Sequence, residues 1–261
     1  RGLRVWHDSA ALGTIMIDGV IAAGDSTERR IAFRDQRHAY LAALREALID
    51  RGITVDSMQP GWVAGTTNGA LEPLGTALFS WRSDSLGAIL KAFEKPSQNQ
   101  IGELLLRTIG LTAGTAGTPE EGARIVTDAL LAWGAPRDGF RVRDGSGLSR
   151  HNVVAPETIM RVLDAMRRSP SFHVFRDALP VAGVDGTIAG RMRSTAAMAN
   201  LRAKTGTLDM VRSLSGYVTT ADERLLMFSI LCNNWLVDVR EVDRVADAIG
   251  VRLAELRLTV R

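Results

Sequence analysis

Lysine is nearly missing from this sequence. Of its 261 residues 32 are basic, yet lysine occurs at Lys91, Lys95 and Lys204 alone, so chemistry that needs a titratable ammonium group has few places to sit. Cysteine is rarer still. The single thiol, Cys232, lies in the apolar run "LLMFSILC"; it excludes an internal disulfide and reads as a buried small hydrophobe, not a nucleophile. The histidines, His7, His38, His151 and His173, are scattered without an H-x-x-x-H spacing or a cysteine partner, which leaves no metal-ligand pattern. No window approaches the ~18 uninterrupted apolar residues of a membrane-crossing helix. No basic run with interleaved aromatics occurs, and 32 basic residues stand against 29 acidic ones for a net charge of +3, so nucleic acid is not an expected partner.

What is present is a globular composition, 46% hydrophobic and 23% charged, enough for one large domain or two small ones. The first residues, "RGLRVWHDSA", carry neither an initiator Met nor a signal-peptide layout, and we expect the numbering to begin inside a longer protein. Runs such as "GTIMIDGVIAAG" suggest β-structure before Arg30. "RDQRHAYLAALREALIDRG" then aligns Tyr40, Leu41, Leu44 and Leu48 on one helical stripe, with Gly52 placed as a C-terminal cap. A glycine-rich stretch from Gly61 to Gly75 precedes an expected strand at "TALFSW".

The periodicity next predicts a helix from about Asp84 to Lys95, ended by Pro96, and another that buries Ile101, Leu104, Leu105 and Ile109. "SQN" falls in the break between them, where polar side chains can project into a cleft. "TPEEGARIVTDALLAWG" offers Thr118 as N-cap, Pro119 at the first helical position and Glu121 to complete a capping box, with Ala123, Val126, Leu130 and Trp133 inward. "DGSGLSRHN" is a loop, and "APETIMRVLDAMRRS" is a helix on Ile159, Leu163 and Met166. The strand candidates "SLSGYVTT" and "RLLMFSILC" form a hairpin through "ADE", and a last helix runs from about Val239 to Leu256 on Val242, Val245, Ile249 and Leu253. Helices on an antiparallel sheet describe an α+β domain.

"KTGT" at Lys204 to Thr207 carries the sharpest chemical signal. A cation, a hydroxyl donor and a flexible backbone in one segment, expected just before a strand, can grip a carboxylate at a sheet edge. Alone it also reads as a plain turn, and Ser97 and Asn99 of "SQN" alone read equally as a helix cap.

Together the segments say more. "SLGAILKAFEKPSQNQIGELLLRTIG", "RDGSGLSRHNVVAP", "LPVAGVDGTIAGR" and "LRAKTGTL...SLSGYVTT" resemble the type-4 penicillin-binding proteins, the serine D-alanyl-D-alanine carboxypeptidase/endopeptidase family, from about Ala32 to Trp235. Enzymes of this kind carry S-x-x-K, S-x-N and K-T-G in chain order. The residues three positions before the lysines are Ala88, Ala92 and Leu201, so S-x-x-K does not occur in this chain. The resemblance implies a penicillin-binding, transpeptidase-like α+β fold that lacks its N-terminal portion. Residues 1–30 would then end an inserted β-rich region, and 31–261 would be the C-terminal part of the peptidase domain. A pseudoenzyme, or a chain nicked and retained beside its missing N-terminal part, would account for the same gap.

Roles follow by resemblance. Ser97 would relay a proton to the leaving amine, Asn99 would hydrogen-bond the substrate amide, and Lys204 would supply positive potential. The hydroxyls of Thr205 and Thr207 would hold the terminal carboxylate, with Gly206 between them, and the Thr207 N–H would form half of an oxyanion hole. The "DGSGLS" loop would border the cleft, with Ser146 to Leu148 touching substrate or forming a purely structural turn; Asp144 reads as a cap on a neighbouring helix or loop, and His151 reads as structural. The implied partners are peptidoglycan stem peptides and β-lactams, without metal or organic cofactor, in the periplasm or elsewhere in the cell envelope. A class A β-lactamase relative, whose middle motif is S-D-N, a non-catalytic peptidoglycan-peptide-binding module, and an unrelated structural domain are the competing readings.

Overall fold

The computed structural model describes residues 2–8, 14–28, 31–32, 35–58 and 80–257. The chain divides into two compact units, Arg1–Glu72 and Pro73–Arg261. In the first, strands β1 (Arg4–His7) and β2 (Ile15–Asp18) pair antiparallel. Arg4 stands opposite Asp18 and forms an exposed ion pair with it at 2.5 Å. Helix α1 (Gln36–Ile49) starts where the Asp35 carboxylate accepts the His38 N–H, and Gly52, with φ at +78°, follows its end. Its leucine stripe is only half-buried and Tyr40 stays exposed. The glycine-rich stretch, and most of the strand expected at Thr76–Trp81, lie outside the described residues.

The second unit is built on a three-stranded antiparallel sheet in the order β5-β6-β7, made of Arg202–Leu208, Val211–Thr219 and Leu225–Asn233. The two-residue period of each strand divides its side chains between two apolar clusters. Leu214, Val218, Phe228, Leu226 and Ile230 face helix α7 (Val239–Glu255) and pack with Leu201, Ala203 and Ala246. Tyr217 and Met227 point the other way, to helices α5 (Pro156–Arg168) and α6 (Phe172–Ala178), where Leu163, Phe172 and Phe175 enclose them. Tyr217 is 1% exposed and donates its hydroxyl to the Leu163 carbonyl at 2.7 Å. Helices α2 (Leu86–Glu94), α3 (Asn99–Ala113) and α4 (Pro119–Ala132), with the short pair β3 (Phe140–Arg141) and β4 (Val153–Val154), complete the unit.

Several faces differ from the sequence reading in one consistent way. Helix α7 buries Val242, Ala246, Gly250 and Ala254, while Val245 and Ile249 are exposed. Helix α3 buries Gly102, Leu106 and Gly110 and leaves Leu104 outside, and Trp133 after α4 is 40% exposed. Small residues let backbones approach closely, so contact distance rather than side-chain size selects the buried stripe. The capping box is also only half made. Thr118 takes the Glu121 N–H at 3.2 Å, but the Glu121 carboxylate reaches the Thr115 N–H instead of closing back on Thr118. Cys232 sits half-buried on β7.

Two substitutions weigh the clusters. Tyr217→Phe removes a buried hydrogen bond from a carbonyl that keeps its place in helix α5 and costs about 0.5–1.5 kcal/mol, while Leu214→Ala opens a cavity and costs about 2–5 kcal/mol. Urea denaturation of the folded protein reads both.

Candidate active site

The break between α2 and α3 is a helix C-terminus with a serine where glycine is usual. The Gln98 N–H reaches the Phe93 carbonyl at 2.9 Å and the Ser97 N–H reaches that of Glu94 at 3.3 Å, the paired bonds that close a helix around a left-handed residue. Ser97 is that residue, with φ at 58°. A side chain in this region costs roughly 1–2 kcal/mol, and the consequence is directional: the Ser97 hydroxyl is thrown off the helix axis. Gln98, not Ser97, caps α3, so the hydroxyl is free for another partner.

That partner is Lys204. Its ammonium donates to Ser97 Oγ at 2.7 Å and to the Thr205 carbonyl at 2.8 Å. The sequence placed "KTGT" ahead of a strand, whereas the structure places it inside β5, in continuous register with β6: Lys204 faces Ser215, Thr205 faces Leu214 and Gly206 faces Ser213. Lys204 is therefore on the sheet face opposite α7. Gly206 has a steric reason, since a Cβ there would lie 2.3 Å from Ser213 Oγ. Among the described residues, backbone hydrogen bonds cover the outer edge of β5 at its start only. Ala203 donates to the Pro180 carbonyl at 3.0 Å and Ala182 to that of Leu201 at 2.9 Å. The strand period turns the N–H groups of Thr205 and Thr207 to the same outer side.

Lys204 is half-buried, and Glu94 beside it is half-buried too, with one carboxylate oxygen lacking a hydrogen-bond partner. Burial depresses the Lys204 ammonium below the ordinary lysine range, and the Glu94 charge opposes that fall. Burial likewise pushes the Glu94 carboxyl up, and Lys204 pulls it back. The site thus holds a cation whose proton is easier to lose than a surface lysine's, steadied by a nearby carboxylate.

The opposite wall is the "DGSGLS" loop. Asp144 caps it from within, accepting from the Gly147 and Ser149 N–H groups and from Asn152 at 2.7, 2.8 and 2.9 Å. Burial works against the Asp144 charge, but these bonds outweigh it and hold the carboxyl below the usual carboxylate range. The Ser146 N–H donates to Glu103 of α3 at 3.0 Å. Gly102 and Gly145 meet backbone to backbone, where a Cβ on either would lie 2.3 or 2.1 Å from the other's carbonyl oxygen. Every residue nominated from the sequence, Ser97, Asn99, Ser146, Leu148, Lys204, Thr205, Gly206 and Thr207, lines one open cleft of about 900 Å³. His151 does not line it.

The sequence missed Glu94, Ser213 and Thr187. Thr187 lines the cleft, and its hydroxyl lies 2.8 Å from that of Thr205. "VDGTI" stood in view as a segment, but no spacing marked Thr187 as a neighbour of "KTGT". Among the described residues no group of His, Cys, Asp and Glu side chains is arranged to hold a metal.

Residues 4–256 match the D-Ala-D-Ala carboxypeptidase 3 (S13) family. The chain belongs to this family. It is 36% identical over 249 residues to a D-alanyl-D-alanine carboxypeptidase of an Actinomadura species, an alignment that covers 93% of this chain and 45% of that protein. It is 34% identical over 164 residues to the D-alanyl-D-alanine carboxypeptidase DacB of Haemophilus influenzae, covering 62% of this chain and 34% of that one. The crystal structure of penicillin binding protein 4 (dacB) from Haemophilus influenzae, complexed with a β-lactam, superposes with a TM-score of 0.68 at 27% identity, covering 87% of this chain and 53% of that one. The chain thus spans less than half the length of these curated relatives, and its fold is the transpeptidase-like α+β fold of the family.

Two measurements probe the site's physics. The lysines are so few that ¹³C-lysine NMR follows each separately. Lys204 should titrate below the ordinary lysine value, and Glu94→Gln should lower its midpoint further, because the opposing charge is gone; a rise would break the assigned pairing. Ser97→Gly should be more stable than Ser97→Ala by about 1 kcal/mol, the reverse of their order in a helix, and chemical denaturation compares them.

Proposed function

We propose that this chain is the S-x-N- and K-T-G-bearing part of a serine D-Ala-D-Ala carboxypeptidase/endopeptidase that acts on peptidoglycan stem peptides. The observation that carries the reading is the 2.7 Å bond from Lys204 to Ser97, which joins residues 107 positions apart. Family membership supports it, as does the β-lactam bound to the Haemophilus relative. Residues 1–30 are then the end of an inserted region and 31–261 the C-terminal part of the peptidase domain. The S-x-x-K serine and its lysine belong to a portion of the protein outside this chain.

In this mechanism the substrate's C-terminal residues lie extended along the uncovered edge of β5. The hydroxyls of Thr205 and Thr207 hold the terminal carboxylate and Asn99 bonds the preceding amide. The nucleophilic serine oxygen adds to the carbonyl carbon of the penultimate D-alanine, and the Thr207 N–H stabilises the oxyanion that forms. Ser97, polarised by Lys204, passes the proton to the leaving nitrogen as the C–N bond breaks. D-Alanine or the cross-linked amine departs, and water then hydrolyses the serine ester. A depressed Lys204 suits this role, since its buried ammonium gives up a proton more readily than a surface lysine's. β-Lactams acylate the same serine and are released slowly. Peptidoglycan places the protein in the cell envelope; no helix among the described residues is long and apolar enough to cross a membrane.

The test is the intact mass of the full-length protein after exposure to a reporter penicillin. A stable adduct is expected, and Lys204→Ala should slow its formation by roughly a hundredfold or more. Reversible peptide binding with no adduct would identify a non-catalytic binding module. Rapid penicillin turnover would identify a β-lactamase relative. An adduct on residues of this chain would move the nucleophile into it.

A further inference from the structure

The Ser97–Lys204 contact needs its two elements held at a fixed separation, and one loop touches both. Lys95, two residues before Ser97, turns its ammonium away from the cleft. It donates to the Leu179 carbonyl at 2.5 Å and to both carboxylate oxygens of Asp185 at 2.8 and 2.9 Å. The Lys95 side chain is 20% exposed and that of Asp185 43%, so the pair is shielded from solvent on the lysine side, and the Leu179 carbonyl adds a third contact to the same ammonium. Asp185 is itself fixed, accepting the Val181 N–H at 2.9 Å.

Gly186 follows with φ at +63°, and a Cβ there would lie 2.7 Å from the Lys95 carbonyl oxygen, so the loop backbone lies directly against that of the break. Thr187 comes next, with its hydroxyl 2.8 Å from the Thr205 hydroxyl. At its other end the same segment is hydrogen-bonded to the start of β5 through Pro180 and Ala182. Within this short stretch, then, Asp185 grips the S-x-N break and Thr187 grips the K-T-G strand.

We propose that the segment from Pro180 to Ile188 is the positioning element of the site, in which the Asp185–Lys95 pair sets Ser97 over Lys204 and Thr187 aligns the Thr205 hydroxyl. The proposal rests on the acyl-transfer reading of Ser97 and Lys204. The left-handed Ser97 gives it a physical motive: a strained residue keeps its conformation only where its surroundings over-determine it. Neither Asp185 nor Thr187 transfers a proton. Both act through the residues they hold.

The experiment compares the full-length wild type with Asp185→Asn, Asp185→Glu, Thr187→Val and the Lys95→Met/Asp185→Asn pair. It measures melting temperature, the fraction of sites titrated by a fluorescent penicillin, and the acylation rate constant per titrated site. Misplacing a reacting group by about 1 Å costs on the order of a hundredfold in rate, so Asp185→Asn should slow acylation roughly tenfold to a hundredfold per titrated site. Asp185→Glu should recover most of that loss, and the double variant should be no slower than Asp185→Asn alone. Thr187→Val should slow acylation severalfold. Asp185→Asn with a lower melting temperature but a wild-type rate per titrated site would reduce the pair to a stabilising contact and overturn the proposal. If Asp185→Asn does not fold, an unchanged rate in Thr187→Val overturns it equally. A wild type that no penicillin acylates defeats the functional reading first, and this inference with it.

Discussion

A lysine cannot be taken out of water cheaply, and the second unit is arranged around one that has been. The ammonium of Lys204 loses hydration on β5 and recovers partners one at a time: the Ser97 hydroxyl, the Thr205 carbonyl and the field of Glu94. Each recovery fixes another part of the fold. Ser97 ties the end of α2 to β5, and Thr205 binds the ammonium to the strand's own backbone. An unpaired buried charge is among the costliest defects a core can hold, so these elements are held together by a demand for partners as much as by apolar burial.

The same demand explains what was readable from sequence. Local chemistry was. Thr118 and Pro119 opened α4 where they should, Pro96 stopped α2, and the hairpin of β6 and β7 formed around "ADE". The motif residues also converged, because S-x-N and K-T-G are short signals whose order is meaningful. What escaped was long-range. Nothing in "FEKPSQN" shows that Glu94 is buried beside a strand over a hundred residues later, or that Lys95 turns to Asp185 while Ser97 turns to Lys204. Helix faces were misjudged wherever close approach outranked side-chain size, as with Gly250 of α7 against Leu201 and Met192. "KTGT" was read as preceding a strand because Gly and Thr weaken the pattern of one, but pairing with β6 overrides that propensity.

Both sides of the cleft use backbone economically. One side is a strand edge covered at its start by the Pro180–Ala182 segment and, among the described residues, unpaired beyond it, which leaves main-chain N–H groups that no side-chain substitution removes. The other is a loop whose N–H groups are taken up by Asp144 within it and by Glu103 of α3. Around them the cleft is lined largely by apolar side chains such as Phe93, Phe140, Val142, Leu148 and Ile159, among which stand the hydroxyls of Ser97, Thr187, Thr205 and Thr207.

The contact between Gly102 and Gly145 has a consequence for how this cleft meets its ligands. Most pocket walls are made of side chains that can swing between rotamers and so widen or narrow to suit a guest. Here the wall is joined to its supporting helix backbone to backbone, with no room for even a methyl group between them, and Asn99 stands at the start of that same helix. The main chain alone sets the loop's distance from α3, and what can adjust to a ligand on this side is limited to the side chains the loop carries, Ser146 and Leu148 among them.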